Sequence, residues 1–350
     1  MKPLVSILIP AYNAQRWIAD TIESALGQTW PNKEIIMVDD GSRDQTLSVA
    51  RQFASKNVSI VTQKNQGAAA ARNKALELCR GDYIQWLDAD DLLSADKIER
   101  QMEAAEQSQS KRTLISSAWG YFMHRPSKAK FSPTSLCADL SPTEWLLRKW
   151  EGNFHMQTAT WLVSRELSEA AGPWDIRLLG DDDGEYFFRV IRSSDRIKFV
   201  PDAKVFYRVS GSSRLSYIGS SNKKMQAQFL GMKMQIGYLR AMEDSPRVRA
   251  ACLNYLQTWL GNFYPNRPDI VEEAQKLAAN LGGRLEVPRL RWKYRWIRPL
   301  FGYDFAKRAQ FLLPEMKCFA SSLWDKALFR LENRKSFTVT PHGSELRENS

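Results

Sequence analysis

The first hundred residues alternate short apolar runs with stretches of helical periodicity. Strands are predicted at residues 4–9, 34–38, 58–61 and 83–87. The first intervening helix is predicted to have Asn13 as its N-cap and an apolar face of Ile18, Ile22, Ala25 and Leu26. Two further helices are predicted, from Ser42 and Asp44 through Val49 and Phe53, and over residues 68–79. This alternation predicts an α/β fold with a doubly wound, mostly parallel sheet.

Polar motifs follow three of these strands. They are Pro10-Ala11-Tyr12-Asn13, Asp39-Asp40-Gly41-Ser42 and Asp88-Ala89-Asp90-Asp91. In open sheets of this type, ligands bind beyond the carboxyl ends of the strands. The sequence therefore predicts a binding site at this edge of the sheet.

The pattern changes twice in the remainder of the chain. Residues 92–214 mix both signals, with a helix start at Ser141-Pro142-Thr143-Glu144 and strand-like runs at 158–163 and 198–209. From about residue 216 the chain is mainly helical, basic and rich in tryptophan, and after residue 334 it is polar. We therefore expect an α/β domain at 1–214, a helical basic extension at 215–333 and a disordered tail at 334–350.

The formal charge of +11 favours an anionic partner, such as a nucleoside diphosphate or an anionic lipid headgroup. Helix-turn-helix, zinc-finger and RNP signatures are absent from the sequence, so nucleic acid is not an expected partner. Four widely spaced cysteines favour a reducing compartment. With neither a signal-peptide pattern nor about 20 consecutive apolar residues, we expect a cytoplasmic protein without a transmembrane helix.

Two carboxylates follow the fourth predicted strand, two residues apart. Alternate residues of an extended chain point to one side, so Asp88 and Asp90 are expected to address one small volume. Oxygen ligands of this kind suit Mg²⁺ or Mn²⁺ shared with substrate phosphates. An acidic loop before the next helix is the alternative explanation of the same pattern.

Five motifs taken together resemble glycosyltransferase family 2. They are residues 5–13 (VSILIPAYN), 24–29 (SALGQT), 38–42 (VDDGS), Asn65-Gln66-Gly67 with Ala71-Arg72-Asn73, and 87–91 (LDADD). The resemblance implies a GT-A, Rossmann-like catalytic domain at 1–214. Its nucleotide-binding half would be 1–100 and its acceptor half 101–214.

The resemblance also implies roles for individual residues. Pro10, Ala11 and Tyr12 would lie against the nucleoside, with Tyr12 on the base and Asp40 accepting a hydrogen bond from a pyrimidine. Arg72 would lie near the nucleotide. Asp88 would face the ribose and the metal, and Asp90 would bind the Mn²⁺ or Mg²⁺ directly.

A second acidic segment, Gly180-Asp181-Asp182-Asp183-Gly184-Glu185, resembles the family's Glu-Asp-x-Glu segment at a helix start. In that register Asp183 is the catalytic base, Asp182 replaces the usual glutamate and Glu185 is the supporting acid. Three consecutive aspartates leave the register open by one residue. Helix capping by the same acids is the alternative.

Later segments contain candidate phosphate contacts and indicate whether the enzyme is processive. Arg208 and Arg214 are candidates for phosphate contact, with surface salt bridges as the alternative. The family often has a histidine two residues after the arginine that corresponds to Arg208, and this chain has Ser210 at that position. Trp292 stands where processive relatives have the glutamine of Gln-x-x-Arg-Trp, so processive synthesis is not expected.

The implied reaction is an inverting transfer from a nucleoside-diphosphate sugar to a hydroxyl of a carbohydrate or lipid-linked acceptor, in cell-surface polysaccharide or glycolipid assembly. We rank UDP-sugars first, dTDP-sugars second and GDP-sugars third, because a uracil or thymine N3–H suits Asp40. The alternatives are a sugar nucleotidylyltransferase and a non-catalytic nucleotide- or carbohydrate-binding protein.

Residues 284–308 interleave eight basic residues with tryptophans and other apolar side chains. A short helix between Pro288 and Pro299, with Trp292 and Trp296 on one face, is predicted here. Such a segment suits peripheral contact with the inner face of an anionic membrane. Packing of the same aromatic side chains against the catalytic domain is the alternative.

Overall fold

The computed structural model describes residues 2–108, 110–209, 221–288, 292–294 and 296–336. Two compact units divide the chain. The larger comprises Met1–Tyr121 with Lys130–Arg289, and the smaller comprises Phe122–Ala129 with Leu290–Ser350. The predicted boundary near residue 214 lies outside the described residues, as do Ser210, Arg214 and the tail beyond residue 336. The predicted domain limits therefore stay predictions.

The strands of the described residues form one nine-stranded sheet. They are β1 (Val5–Ala11), β2 (Lys33–Asp39), β3 (Val58–Thr62), β4 (Tyr83–Trp86), β5 (Leu92–Leu93), β6 (Thr113–Phe122), β7 (Lys130–Phe131), β8 (Leu162–Ser164) and β9 (Arg196–Arg208). Their order is β3-β2-β1-β4-β8-β6-β9-β5, with β7 paired to β6. Strands β1 to β4 pair in parallel, which confirms the predicted α/β fold. From β8 onward the pairs with assigned registers are antiparallel.

The helices of the larger unit follow the strands in the predicted alternation. They are α1 (Ile18–Leu26), α2 (Thr46–Arg51), α3 (Ala68–Leu78), α4 (Lys97–Glu106), α5 (Pro142–Glu151), α6 (Arg165–Ala171), α7 (Asp182–Ser193), α8 (Asn222–Met242), α9 (Pro246–Phe263) and α10 (Pro268–Asn280). The hydroxyl of Ser141 accepts a hydrogen bond from the Glu144 backbone and Pro142 begins the helix, as predicted for α5. The mainly helical character predicted after residue 216 is also confirmed in the described residues.

Several local predictions were wrong. Asn13 does not cap α1, because its backbone is left-handed (φ 51°) and its side chain accepts from the Arg43 backbone instead. Leu26 is exposed rather than part of the buried face of α1, and α2 ends before Phe53. Residues 158–160 form a 3₁₀ turn capped by Gln157, so the strand predicted at 158–163 begins only at Leu162.

Apolar side chains cover both faces of the sheet. Successive residues of a strand point to opposite sides, so Ile7 and Ile9 join a cluster with α1 and α4, whereas Leu8 joins a second cluster with α3, α5 and α7. Helices α8 to α10 contribute to this second cluster. The basic helical region up to residue 280 therefore shares a core with the sheet.

The smaller unit contains the long helix α11 (Ile297–Ser336), which is kinked at Gly302 (φ 79°). A 3₁₀ turn at Trp292–Tyr294 precedes it, so the single helix predicted between Pro288 and Pro299 was wrong. Pro299 lies instead in the first turn of α11, where its missing N–H costs no helical hydrogen bond. Of the helices formed by the described residues, none combines the length and apolar character needed to cross a membrane.

Candidate active site

The carboxyl ends of the parallel strands bring the predicted motifs to one edge of the sheet. Tyr12 directly follows β1 and is 47% exposed, which leaves a ring face open for stacking. Asp40 directly follows β2, and its backbone N–H donates to the carbonyl of Ala11 over 2.8 Å. Asp88 follows β4 by two residues. The arrangement predicted for this edge is therefore present.

Asp40 is buried and holds the loop that leads into α3. Its Oδ1 accepts from Gln63 Nε2 (2.8 Å) and the Gln66 backbone (2.9 Å), while its Oδ2 accepts from the Gly67 backbone (2.8 Å). Gly67 has φ 96°, a backbone conformation that favours glycine. Because a carboxylate offers about four acceptor positions, Oδ2 retains capacity for a further donor. Contact of Asp40 with a nucleotide base stays a prediction.

Asp91 anchors the acidic turn after β4, although no role was predicted for it. Its fully buried carboxylate accepts from Gln157 Nε2 (2.6 Å) and from the Arg208 backbone (2.8 Å). Burial raises the pKa of Asp91 well above its ordinary value, and the charges of Asp90 and Asp88 add to that rise. Asp91 thus fixes the turn, while Asp88 and Asp90 remain partly accessible.

Arg208, a candidate for phosphate contact, is buried against the same turn. Its Nε donates to the Asp90 carbonyl (2.7 Å), and one terminal nitrogen pairs with Asp20 at 3.0 Å. The guanidinium lies 4.3 Å from the centre of the Trp17 ring. The salt bridge considered as an alternative is present, but its arginine is buried and supports the turn from within the protein. A phosphate contact stays a prediction.

The carboxylates of Asp88 and Asp90 fit a hard divalent cation by their chemistry. Asp88 is 29% exposed at its side chain, and only its Oδ1 is engaged by Arg72. In the described part of the chain, no group of three or more His, Cys, Asp or Glu side chains is placed to hold a metal. Two carboxylates suit Mg²⁺ or Mn²⁺ when substrate phosphates and water supply the remaining ligands.

Arg72 joins the two acidic segments. One terminal nitrogen lies 3.0 Å from Asp88 Oδ1 and the other 2.5 Å from Asp182 Oδ2. The guanidinium also lies 4.5 Å from the centre of the Trp174 ring. Burial opposes the charge, yet Asp182, Asp88 and Asp183 together raise the pKa of Arg72 above its ordinary value. Arg72 is therefore buried between the two acidic segments and is not exposed on the surface of α3.

The second acidic segment forms the first turn of α7, as predicted. Burial raises the pKa of Asp182 to about 6 despite the nearby charge of Arg72. Desolvation and the charge of Asp183 raise the pKa of Asp181 to about 7. Asp183 is partly exposed and accepts from the Thr158 hydroxyl at 3.4 Å. The partly exposed Asp183 next to the bridged Asp182 is therefore compatible with the predicted register.

Glu185 makes different contacts. Its buried carboxylate pairs with Arg189 through two hydrogen bonds of 2.7 and 2.9 Å, and Tyr238 donates to it at 3.2 Å. Residues two apart on a helix do not face each other, so Glu185 does not share the face of Asp183. The structure thus gives Glu185 a packing partner, while its role as supporting acid stays a prediction.

The fold and this site define a class: an α/β protein with clustered carboxylates at the carboxyl ends of parallel strands, where such folds bind nucleotides. The model of glycosyl transferase family 2 matches residues 6–158. EpsJ of Bacillus subtilis, described as an uncharacterized glycosyltransferase, is 30% identical over 241 residues, which are 65% of this chain and 68% of EpsJ. This chain belongs to glycosyltransferase family 2.

Other relatives match over shorter stretches or at lower identity. TuaG of B. subtilis, named for teichuronic acid biosynthesis, is 46% identical over 105 residues, or 29% of this chain and 42% of TuaG. The structure of S. aureus TarS 1–349 with UDP-GlcNAc has a TM-score of 0.65 at 17% identity, covering 80% of this chain and 81% of TarS 1–349. The likeness to TarS confirms the predicted GT-A type of fold.

Proposed function

We propose that this protein transfers a sugar, with inversion, from a nucleoside-diphosphate sugar to an acceptor hydroxyl, in the assembly of a cell-surface polysaccharide or glycolipid. One structural observation supports the proposal in addition to family membership. Arg72 links Asp88, beside the proposed metal ligand Asp90, to Asp182, beside the proposed base Asp183. The ion pairs of Arg72 therefore join the segment that contains the proposed metal ligand to the segment that contains the proposed base.

UDP-sugars are the proposed donors, ahead of dTDP- and GDP-sugars. Tyr12 offers an exposed ring to a base, and Asp40 Oδ2 has capacity for an imide N–H. TarS, a protein of similar fold, binds UDP-GlcNAc, and TuaG is named for the synthesis of a polysaccharide. Both relatives agree with the proposed donor and acceptor classes without defining either sugar.

In the proposed mechanism, Asp88 and Asp90 would hold Mn²⁺ or Mg²⁺. A bound divalent ion would supply positive charge that stabilises the departing nucleoside diphosphate. Asp183 accepts the proton of the acceptor hydroxyl as that oxygen attacks the anomeric carbon. The bond from the anomeric carbon to the diphosphate oxygen breaks as the acceptor oxygen attacks from the opposite face, so the configuration at that carbon is inverted.

A thermal-shift screen tests the donor class on the full chain. UDP with Mg²⁺ should raise the melting temperature more than dTDP or GDP, because a ligand bound only by the native state stabilises it. UMP with Mg²⁺ is the matched control, since it lacks one phosphate for the ion to share. Stabilisation by GDP and none by UDP would overturn the nucleotide assignment.

A coupled assay of UDP release separates an enzyme from a non-catalytic binding protein. UDP-glucose, UDP-galactose and UDP-GlcNAc are each incubated with a mixture of oligosaccharides as acceptors. The proposal predicts UDP release that depends on the acceptor, whereas UDP binding with no release in any combination indicates a binding protein. Membership of glycosyltransferase family 2 argues against the alternative that the protein is a sugar nucleotidylyltransferase.

We also propose that residues 284–308 contact the cytoplasmic face of an anionic membrane. Trp292 and Trp296 are 79% and 63% exposed, as a membrane-interface role requires. Lys293 between them is also exposed, while Arg289, Arg291 and Arg295 lie outside the described residues. Each basic group near such a surface contributes about 1 kcal/mol before screening.

Co-sedimentation with anionic liposomes tests this contact. The bound fraction should fall as salt rises, and it should fall when Trp292 and Trp296 are replaced by serine. Substitution of the exposed Leu78, on α3, is the control. Absence of sedimentation at low salt would contradict the membrane proposal and leave sugar transfer unaffected.

A further inference from the structure

Four aromatic rings form a cluster that the proposed mechanism does not use. Trp119 and Tyr121 lie two residues apart on β6, so they share one face of that strand. Tyr207 lies on β9 and His155 in the segment before the 3₁₀ turn. The ring centre of Trp119 lies 4.7 Å from that of Tyr121, 5.4 Å from His155 and 6.0 Å from Tyr207.

This aromatic cluster is open to solvent. Tyr121 is 44% exposed and His155 is exposed, while Trp119 and Tyr207 are half-buried. The ring pairs around Trp119 are edge-to-face, and Tyr121 meets Tyr207 in the same way at 5.5 Å. Such edge-to-face contacts hold the rings together.

Residues next to the cluster in the chain make hydrogen bonds to the acidic turn. Tyr207 precedes Arg208, whose backbone donates to Asp91 and whose Nε donates to the Asp90 carbonyl. His155 lies two residues before Gln157, which also donates to Asp91. The next residue, Thr158, donates to Asp183. The ring residues therefore lie within three positions along the chain of the groups that bind the acidic turn and the proposed base.

The cluster lies on the half of the sheet away from the proposed nucleoside contacts. Tyr12 and Asp40 follow β1 and β2, whereas the rings sit on β6 and β9 and beside β8. The step from β1 to β6 crosses three strand pairs, or roughly 14 Å at the usual spacing. A ligand on these rings is therefore distinct from the base of the donor.

We propose that the aromatic cluster of Trp119, Tyr121, His155 and Tyr207 binds a pyranose ring of the acceptor. The proposal rests on the proposed sugar transfer and adds a subsite to it. A pyranose presents a face of C–H groups with partial positive charge, which suits the negative face of an aromatic ring. Its hydroxyls point outward from the ring edge, where Asp183 could accept a proton from one of them.

Saturation-transfer NMR on the full chain tests the subsite. The probes are the methyl β-glycosides of glucose, galactose and N-acetylglucosamine, with UDP and Mg²⁺ present. At least one glycoside should receive saturation through its ring C–H protons. Its affinity should fall roughly 2- to 10-fold in each of Tyr121→Ala and His155→Ala, the effect expected for one aromatic contact.

Both substituted side chains are exposed, and Leu26→Ala, at an exposed position on α1, is the matched control. Saturation of UDP should be unchanged in all three variants. The proposed subsite is contradicted if the wild type saturates no glycoside, or if both variants keep the wild-type affinity for the glycoside. It is also contradicted if the variants that lack a ring no longer bind UDP. Failure of UDP to bind the wild type would instead contradict the proposed donor, and the glycoside results would still decide the subsite.

Discussion

The two acidic segments of the site use the same residue type in opposite ways. In the turn after β4, Asp88 and Asp90 are partly exposed and the third acid, Asp91, is buried with two hydrogen-bond donors. At the start of α7, two acids are buried and one is partly exposed. There Asp182 and Glu185 are buried against arginines, and Asp183 between them is partly exposed.

The difference shows that partners rather than sequence position separate the acids that support the site from those that reach a ligand. A buried carboxylate that accepts hydrogen bonds from the protein holds its neighbours in place. A partly exposed carboxylate beside it remains able to bind an ion or accept a proton. This comparison predicts different outcomes for substitutions only one or two residues apart.

The largest effect is expected at Asp90. Asp90→Asn should lower transfer by roughly 10³-fold, because a metal supplies several kcal/mol of transition-state stabilisation. Chelation with EDTA should abolish wild-type transfer, and Mn²⁺ or Mg²⁺ should restore it. Glu23→Gln, at an exposed position on α1, is the matched control and should behave as wild type. Full activity of Asp90→Asn would refute the metal assignment.

The next effect concerns the ion pairs that join the two segments. Arg72→Met should lower the free energy of unfolding by about 3–5 kcal/mol, since two carboxylates lose a buried partner. Adding Asp182→Asn should recover part of that loss, because one of the two charges is removed. Urea unfolding of both single variants and the double variant gives the coupling. Strict additivity would show that Arg72 and Asp182 do not interact as described.

The smallest effect is a pH dependence at Asp181. Its pKa is raised from 3.8 to about 7 by desolvation and the charge of Asp183, with Lys149 opposing. A raised folded-state pKa gives stability that is present below pH 4 and lost as the pH rises through 7. Asp181→Asn should therefore match the wild type near pH 4 and melt roughly 2–4 °C higher at pH 8. A constant difference across this range would contradict the shift.

The sequence predicted the parallel half of the sheet well because its signals are local. Apolar runs in β1, β2 and β4 are followed by polar motifs, and both features lie within a few residues of one another. The antiparallel pairing of β8 with β4 and β6 joins segments far apart in the chain, for which no local pattern exists. The same limit applies to helix bounds such as the start of α1. The side chain of Asn13 accepts a hydrogen bond from the distant Arg43 backbone and so does not cap this helix.

The candidate site shows the same division. The motifs located Asp88, Asp90, Arg72 and the acids of α7. They did not reveal that Arg72 pairs with both Asp88 and Asp182, the second of which lies 110 residues away in the chain. Gln157 and Thr158 were missed altogether, because a single amide or hydroxyl in a turn has no distinctive spacing. Their function depends on long-range contacts with Asp91 and Asp183.

The most direct test of the account compares Asp183→Asn with Glu185→Gln in steady-state transfer and thermal unfolding. Asp183→Asn should keep donor affinity and melting temperature while kcat falls by about 10²- to 10⁴-fold, the usual contribution of a general base. Glu185→Gln should lower the melting temperature, because it weakens the pair with Arg189, and should lower kcat less than Asp183→Asn does. An active Asp183→Asn together with an inactive Asp182→Asn or Glu185→Gln would contradict the assignment of the base.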